Sequence, residues 1–287
     1  MYLWSMKLPI GIQTFSRIRE EGFLYIDKTK QIHYVLSNGN YFFLSRPRRF
    51  GKSLLLSTMK SLYEGRKDLF EGLWIADNWN WEKTCPVIHI QFAQADYQGK
   101  GLEQAIIDEI RRNSRRLGID LENNTIKSSF VELIQKSSKQ NKVVILIDEY
   151  DKPIIDYLDD IPQANVNRKI LKSFYSVLKD SDPYLELVFI TGVSRFAKTS
   201  IFSDLNNLQN LTMDETNVDL LGITYEEVDK YFTERLHFLA RKKEVLFEDL
   251  QAQMRFWYNG YSWNGITKVY NPFSLLSFMK AGQFQNF

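Results

Sequence analysis

The chain has 287 residues, 44% hydrophobic and 25% charged, which is the make-up of an ordinary globular protein with one large domain, or a core and a smaller one. A formal net charge of +2 gives no global argument for nucleic-acid binding, so any basic footprint must be local. A single cysteine, Cys85, excludes an internal disulfide and a cysteine-rich metal site, and the scattered His33, His89 and His237 read as structural or surface residues.

Met1 to Ile10 contains Pro9 and no long apolar segment, so it is not a secretory signal. Elsewhere no apolar run approaches the roughly 18 residues of a membrane span, and a cytoplasmic protein without a membrane partner is expected. Met6-Lys7 reads as a natural start, with Met1 to Ser5 an extension that has no role in the fold. From Ile10 to Leu36, the spacing of Phe15, Ile18 and Arg19 predicts a helix that Gly22 breaks. Tyr25-Ile26 is extended, and a second helix begins at Thr29 with Asp27 or Thr29 as its cap. This segment either serves packing and capping alone or forms one wall of a base pocket.

Tyr41 to Ser53, YFFLSRPRRFGKS, is a short apolar strand, an arginine-rich loop and then Gly51-Lys52-Ser53, leading into the helical pattern of Leu54, Leu55, Leu56 and Met59. A strand, loop and helix in that order form a phosphate-binding loop. Backbone N–H groups at the helix start face the phosphates, a lysine reaches the β- and γ-phosphates, and a Ser or Thr hydroxyl ligates Mg²⁺. Lys52 and Ser53 suit those parts, and the nucleotide-binding set is Arg46, Pro47, Arg48, Arg49, Phe50, Gly51, Lys52, Ser53 and Leu54. The fingerprint's first glycine is replaced by Arg46, so the loop alone is a half match. Pro47 fixes its own φ and biases Arg46 toward extended geometry, a route to loop shape by restriction.

Lys60 to Trp81 reads as a helix end and turns, with Trp74, Trp79 and Trp81 as packing residues. Pro86 to Phe92 is the second strand. Leu102 to Leu117 is a helix whose outer side, Arg111, Arg112, Arg115 and Arg116, reads as a solvated face more readily than a phosphate contact. Ile126 to Ser138 is a further helix.

Val143 to Asp151, VVILIDEYD, has the unbroken apolar run of a strand buried on both faces of a parallel sheet. It ends in Asp148-Glu149. In nucleotide hydrolases the first carboxylate holds Mg²⁺, so Asp148 joins Ser53 at the metal, and Glu149 is the general base on water. Two acids at a strand end are common alone, but Lys52-Ser53 lies roughly 95 residues upstream, and the paired motifs are far more specific than either. Asn165 to Leu178 is a helix and Leu185 to Thr191 the fourth strand. Thr191 and Ser194 at its tip are candidate γ-phosphate sensors. Arg195 either neutralises transition-state charge or forms a salt bridge with an acid such as Asp204.

Past Asn217, Thr224 and Glu227 read as a capping box opening a helix to about Ala240. A second helix spans Phe247 to Phe256, a tight aromatic turn 258–263, and Asn271-Pro272 starts a last helix. The fold class expected is α/β: a three-layer α/β/α phosphate-loop core with a mostly parallel sheet over 1–217, its first 36 residues near the nucleotide, then a small helical lid over 218–287. The apolar end at Phe287 suggests a piece cut before a further C-terminal domain.

The ordered motifs FSRIREEGFLYIDKT, LSRPRRFGKSLLL, VVILIDEYDKPI, FITGVSRF, WYNGYSW and VYNPFSLL resemble those of the bacterial AAA-ATPase-like family, across nearly the whole chain from Lys7. The resemblance implies a P-loop NTPase core of the additional-strand, catalytic-glutamate type followed by a helical lid. Members often carry a C-terminal domain similar to PD-(D/E)XK nucleases, of which no site residue is present here. RPRRFGKS is that family's own form of the loop, so Arg46 departs from the general pattern more than from the family. The expected activity is Mg²⁺-dependent ATP hydrolysis coupled to an attached or partner domain. A homo-oligomer and nucleic acid, the latter through a fused or partner domain, are candidate partners. The rivals are a non-hydrolysing nucleotide-dependent switch or nucleic-acid-binding module, and a structural module with a vestigial site.

Overall fold

A strand covered on both faces must be apolar at successive positions, and Val143–Asp148 (β3) is: Val143, Ile145 and Ile147 enter one core cluster, Val144 and Leu146 the other. The structure, a computed structural model, describes residues 6–194, 201–202, 205 and 207–285. In it β3 lies between β2 (Val87–Gln91) and β4 (Leu185–Gly192). Beyond β4 comes β1 (Tyr41–Ser45), and a two-residue edge strand, β5 (Gln209–Asn210), closes the order β2-β3-β4-β1-β5. Every pairing in this sheet is parallel, with Leu44 opposite Thr191 and Ile147 opposite Ile190. β4 therefore separates β1 from β3, and the carboxyl ends of all three open on the same edge. That edge is where open parallel sheets bind ligands.

Parallel strands need crossovers, and these supply the outer layers. On one face lie α5 (Leu102–Arg116), α6 (Ile126–Ser137) and α8 (Ile161–Asp180), burying Ile106, Phe130, Leu171 and Phe174. On the other lie α2 (Thr29–Ser37) and α3 (Lys52–Tyr63), burying Ile32, Val35, Leu55 and Met59. Beside them α1 (Phe15–Glu20) docks through Phe15, whose N–H donates to Ser57 Oγ. Two single turns, α4 (Tyr97–Lys100) and α7 (Lys152–Ile155), follow β2 and β3. This is the expected three-layer core. Helix α8 starts four residues before the sequence reading, because Asp160 caps it by accepting the Gln163 N–H and Pro162 occupies its first turn. The arginine face of α5 is exposed as expected, with Arg112 on Glu109, Arg116 on Glu64 and Arg111 on Asn124.

After the sheet, α9 (Tyr225–Lys243) opens on the expected capping box of Thr224 and Glu227, and α10 (Phe247–Tyr258) packs against it. The turn expected at 258–263 is instead half of an antiparallel pair, β6 (Asn259–Ser262) with β7 (Lys268–Tyr270), so the C-terminal unit is not purely helical. Then α11 (Pro272–Ala281) begins at Asn271, whose side chain accepts the N–H groups of Phe273 and Ser274. The N-terminal segment serves both units: Leu24 enters the C-terminal cluster with Phe232, Leu250 and Phe278, and Met6, Leu8, Ile10 and Ile26 pack against it. A nearly buried ion pair, Lys28 Nζ to Glu227 Oε1 at 2.6 Å, ties the start of α2 to the first turn of α9. No helix among the described residues is long and apolar enough to cross a membrane. The expected extension, residues 1–5, lies outside the described residues.

Candidate active site

At the end of β1 the backbone turns through two left-handed positions, Arg49 at φ +68° and Gly51 at +92°, before α3 begins at Lys52. Lys52 is 5% exposed, and its Nζ donates to the carbonyls of Arg46 (2.9 Å) and Pro47 (3.0 Å), so the amine lies inside the loop's curve. Burial pushes the Lys52 amine below its ordinary value, against the opposing pull of Asp148, Glu149 and Asp151.

The end of β3 supplies those acids. Asp148, 4% exposed, accepts a hydrogen bond from Thr191 Oγ1 at 2.7 Å, a contact that exists because β3 and β4 are paired neighbours. Glu149 stands next to it at φ +54°. A left-handed glutamate is strained, and such strain concentrates at functional sites. Of the three non-glycine residues with positive φ among those described, Glu244 ends α9, whereas Arg49 and Glu149 border one cleft. Burial, reinforced by Asp148, raises the Glu149 carboxyl above the usual carboxylate range, as a base needs if it is to accept a proton near neutrality.

That cleft has a volume of about 360 Å³, and Arg48, Lys52, Ser53, Glu149, Gln13 and Phe273 are among its walls. Adjoining it, and sharing Pro9, Gly51, Leu54, Pro272 and Leu276, is an apolar cavity of about 100 Å³ lined also by Tyr25, Thr58 and Leu221. Residues upstream of the loop thus border both spaces.

The sequence-predicted residues separate into those that meet and those that do not. Lys52, Ser53, Leu54, Gly51, Arg48, Arg49 and Glu149 border the cleft together. Pro47 and Arg46 contribute their carbonyls, but the Arg46 guanidinium turns away from it. Nη1 donates to the carbonyls of Ser45 and Thr212, and Cζ sits 4.2 Å from the centroid of the Trp263 ring. Phe50 likewise faces Tyr261 and Trp263. Ser194, a predicted sensor, has both its N–H and its hydroxyl on Asp151 Oδ2, at 2.6 and 2.5 Å, so its proton is committed there. Arg195 and Asp204 lie outside the described residues.

Sequence reasoning missed Asp151 and Trp263. Asp151 had a signal, the third acid of DEYD, but its partners lie on β4's exit and become visible only once the strands are paired. Among the described residues, no three His, Cys, Asp or Glu side chains gather as a metal cage. Ser53 and Asp148 are nevertheless hard oxygen donors of the sort Mg²⁺ accepts alongside phosphate oxygens and water.

This chain is similar to known proteins over most of its length. A protein described as uncharacterized, in the vnfD 5′ region of Azotobacter chroococcum, is 41% identical over 283 residues. The match covers 97% of this chain and 53% of that protein, so the chain spans about half the length of this curated relative. Among solved structures, a Walker-type ATPase of Pyrococcus abyssi aligns over 98% of this chain and 73% of its own, with a TM-score of 0.40 and 16% identity. The profile of a family described as Predicted AAA-ATPase matches residues 9–202, from the N-terminal segment through the phosphate-type loop and the acids of β3 to the exit of β4. By that match, which covers more than half its length, the chain belongs to the predicted AAA-ATPase family.

Proposed function

We propose that the chain is an ATP-hydrolysing domain that uses Mg²⁺ and passes its nucleotide state to an attached or partner domain. The observation that carries this reading is that Lys52 and Ser53, from one motif, and Glu149, from another far along the chain, border one cleft at the carboxyl edge of a parallel sheet. Lys52 leaves the Arg46 and Pro47 carbonyls for the β- and γ-phosphates, while the N–H groups at the start of α3 face the same oxygens. Ser53 and Asp148 would hold Mg²⁺, which supplies charge neutralisation at those phosphates. Thr191 keeps Asp148 oriented by donating to one carboxylate oxygen. Glu149 takes the proton of the attacking water. The adenine enters the apolar cavity beside Tyr25, Leu54 and Leu221, with the N-terminal segment as one wall.

Calorimetry with Mg-ATP and a phosphate-release assay test this. The wild-type chain should bind and turn over, Lys52→Ala should abolish binding, and Glu149→Gln should bind while losing turnover by about a hundredfold or more. Absence of Mg-ATP binding by wild type would sink the reading. A second reading has one observation in its favour: Arg48 and Arg49 are exposed at the cleft, where a polyanion could meet them. If ATP binds but no phosphate is released with or without DNA, the chain is a nucleotide-gated switch. Linkage to a nuclease domain is a proposal about the longer protein, tested by cleavage assays on it.

A further inference from the structure

We propose that Trp263 is a positioning residue for the phosphate loop, holding it open to phosphate through the buried side chain of Arg46 and thereby coupling nucleotide binding to the β6–β7 unit. This rests on the ATP reading above.

Arg46 is the largest fully buried side chain among the described residues, at 1% exposed. Nη1 has two carbonyl partners, whereas Nε and Nη2 have no hydrogen-bond partner among the described residues. A guanidinium left so is costly unless something else offsets its desolvation. What faces it is the Trp263 ring at 4.2 Å, a separation at which the indole's negative face attracts a cation, the more so away from water. Burial lowers the Arg46 pKa to about 10, which leaves it charged at neutral pH.

The grip does not end there. Phe50, also buried, meets Tyr261 edge-on at 4.8 Å and Trp263 at 5.9 Å, and the Arg49 guanidinium lies 4.2 Å from the Phe273 ring. Residues 46–50 are therefore held from outside by 261–273 and from inside by Lys52, which donates to the Arg46 and Pro47 carbonyls. Phosphate draws the lysine off those carbonyls and releases only the inner hold. The outer hold then decides whether the loop keeps its curve. The position held by glycine in the general fingerprint is Arg46 here, and its side chain carries the brace. Loss of Trp263 lets the loop collapse onto Lys52 and compete with phosphate.

The experiment measures Mg-ATP dissociation constants and saturated turnover for wild type, Trp263→Ala, Trp263→Phe, Arg46→Met and the Ala/Met double variant, with thermal melts to confirm folding. Hydrogen exchange without nucleotide accompanies it. Trp263→Ala should weaken binding by about tenfold with turnover at saturation little changed, Arg46→Met should weaken binding by a similar factor, and Trp263→Phe should stay within about threefold of wild type. The double variant should be no weaker than the worse single one, because both remove the same brace. Exchange at Gly51, Lys52 and Ser53 should quicken in Trp263→Ala. Wild-type affinity in Trp263→Ala, additive losses in the double variant, or faster exchange confined to 259–270 would each overturn the proposal. Should wild type bind no Mg-ATP while exchange at 51–53 still quickens, the ATP reading fails and the bracing of the loop stands.

Discussion

Asp151 is fully buried, and its Oδ2 accepts three hydrogen bonds: from the N–H of Val193 at 3.0 Å, the N–H of Ser194 at 2.6 Å and the Ser194 hydroxyl at 2.5 Å. Asp151→Ala removes all three hydrogen bonds at once. Each hydrogen bond to a charged group contributes about 1.5–3 kcal/mol, a gross loss of about 4.5–9 kcal/mol. Releasing a buried carboxylate from its desolvation returns several kcal/mol. Val193 and Ser194 are only half-buried, so water replaces part of what they lose. The net cost is about 3 kcal/mol, the low end for breaking a buried charged cluster. Asp151→Asn can keep a carbonyl oxygen at the Oδ2 position and all three donors, losing the charge that roughly doubles each bond, for a cost of about 1–1.5 kcal/mol. Urea unfolding followed by tryptophan fluorescence should rank wild type above Asn and Asn above Ala, with the slope unchanged. Equal losses for the two variants, or a loss below about 0.5 kcal/mol for Ala, would refute the claim that this carboxylate clamps the exit of β4.

Gly222→Ala should cost about 2–3 kcal/mol in a thermal melt: φ is +92°, and the added Cβ would stand 2.7 Å from Val269 Cγ2, so backbone strain and displacement of β7 combine. His89 is pushed down to about 3, first by burial and then by Lys60 and Arg116. Its folded value lies below the unfolded one, so the stability it confers is full above about pH 6.5 and is lost as pH falls toward the folded value. Going from pH 7.5 to 5.5 should cost about 1.4 kcal/mol, and His89→Gln should flatten that part of the pH dependence of the urea midpoint. Glu149, raised by burial and then by Asp148, must be deprotonated to act as base. The acid limb of the turnover profile should therefore lie above the ordinary glutamate value of about 4.3 and be absent from the residual rate of Glu149→Gln.

What could be read from the sequence was chemistry carried by neighbours in the chain. Gly51-Lys52-Ser53 and Asp148-Glu149 announce themselves because the backbone turn and the side chains that use it are adjacent. The unbroken apolar run of β3 gave away a strand covered on both faces. Elements that stand on few residues were not legible: β5 has two and β7 three, too short for any periodicity, and both exist only because a longer neighbour pairs with them. The early start of α8 was legible in principle, since Asp160 and Pro162 are a cap and a first-turn proline.

The loop itself shows where such reading stops. Its three arginines look equivalent in RPRR, three cations beside a phosphate site, yet the fold gives them three environments. Arg48 stays exposed by the cleft, Arg49 lies over Phe273, and Arg46 is buried under Trp263. The difference is direction, which the partners set, and the partners come from the far end of the chain. Pro47 suggested a loop shaped by restriction, but left-handed residues are still used, at Arg49 and Gly51 instead of at the missing glycine. A position freed from supplying backbone freedom can carry a side chain, and Arg46 uses its own to join the phosphate loop to the C-terminal unit. The replacement of glycine that weakened the motif in the sequence is thus the feature that connects the loop to the rest of the molecule.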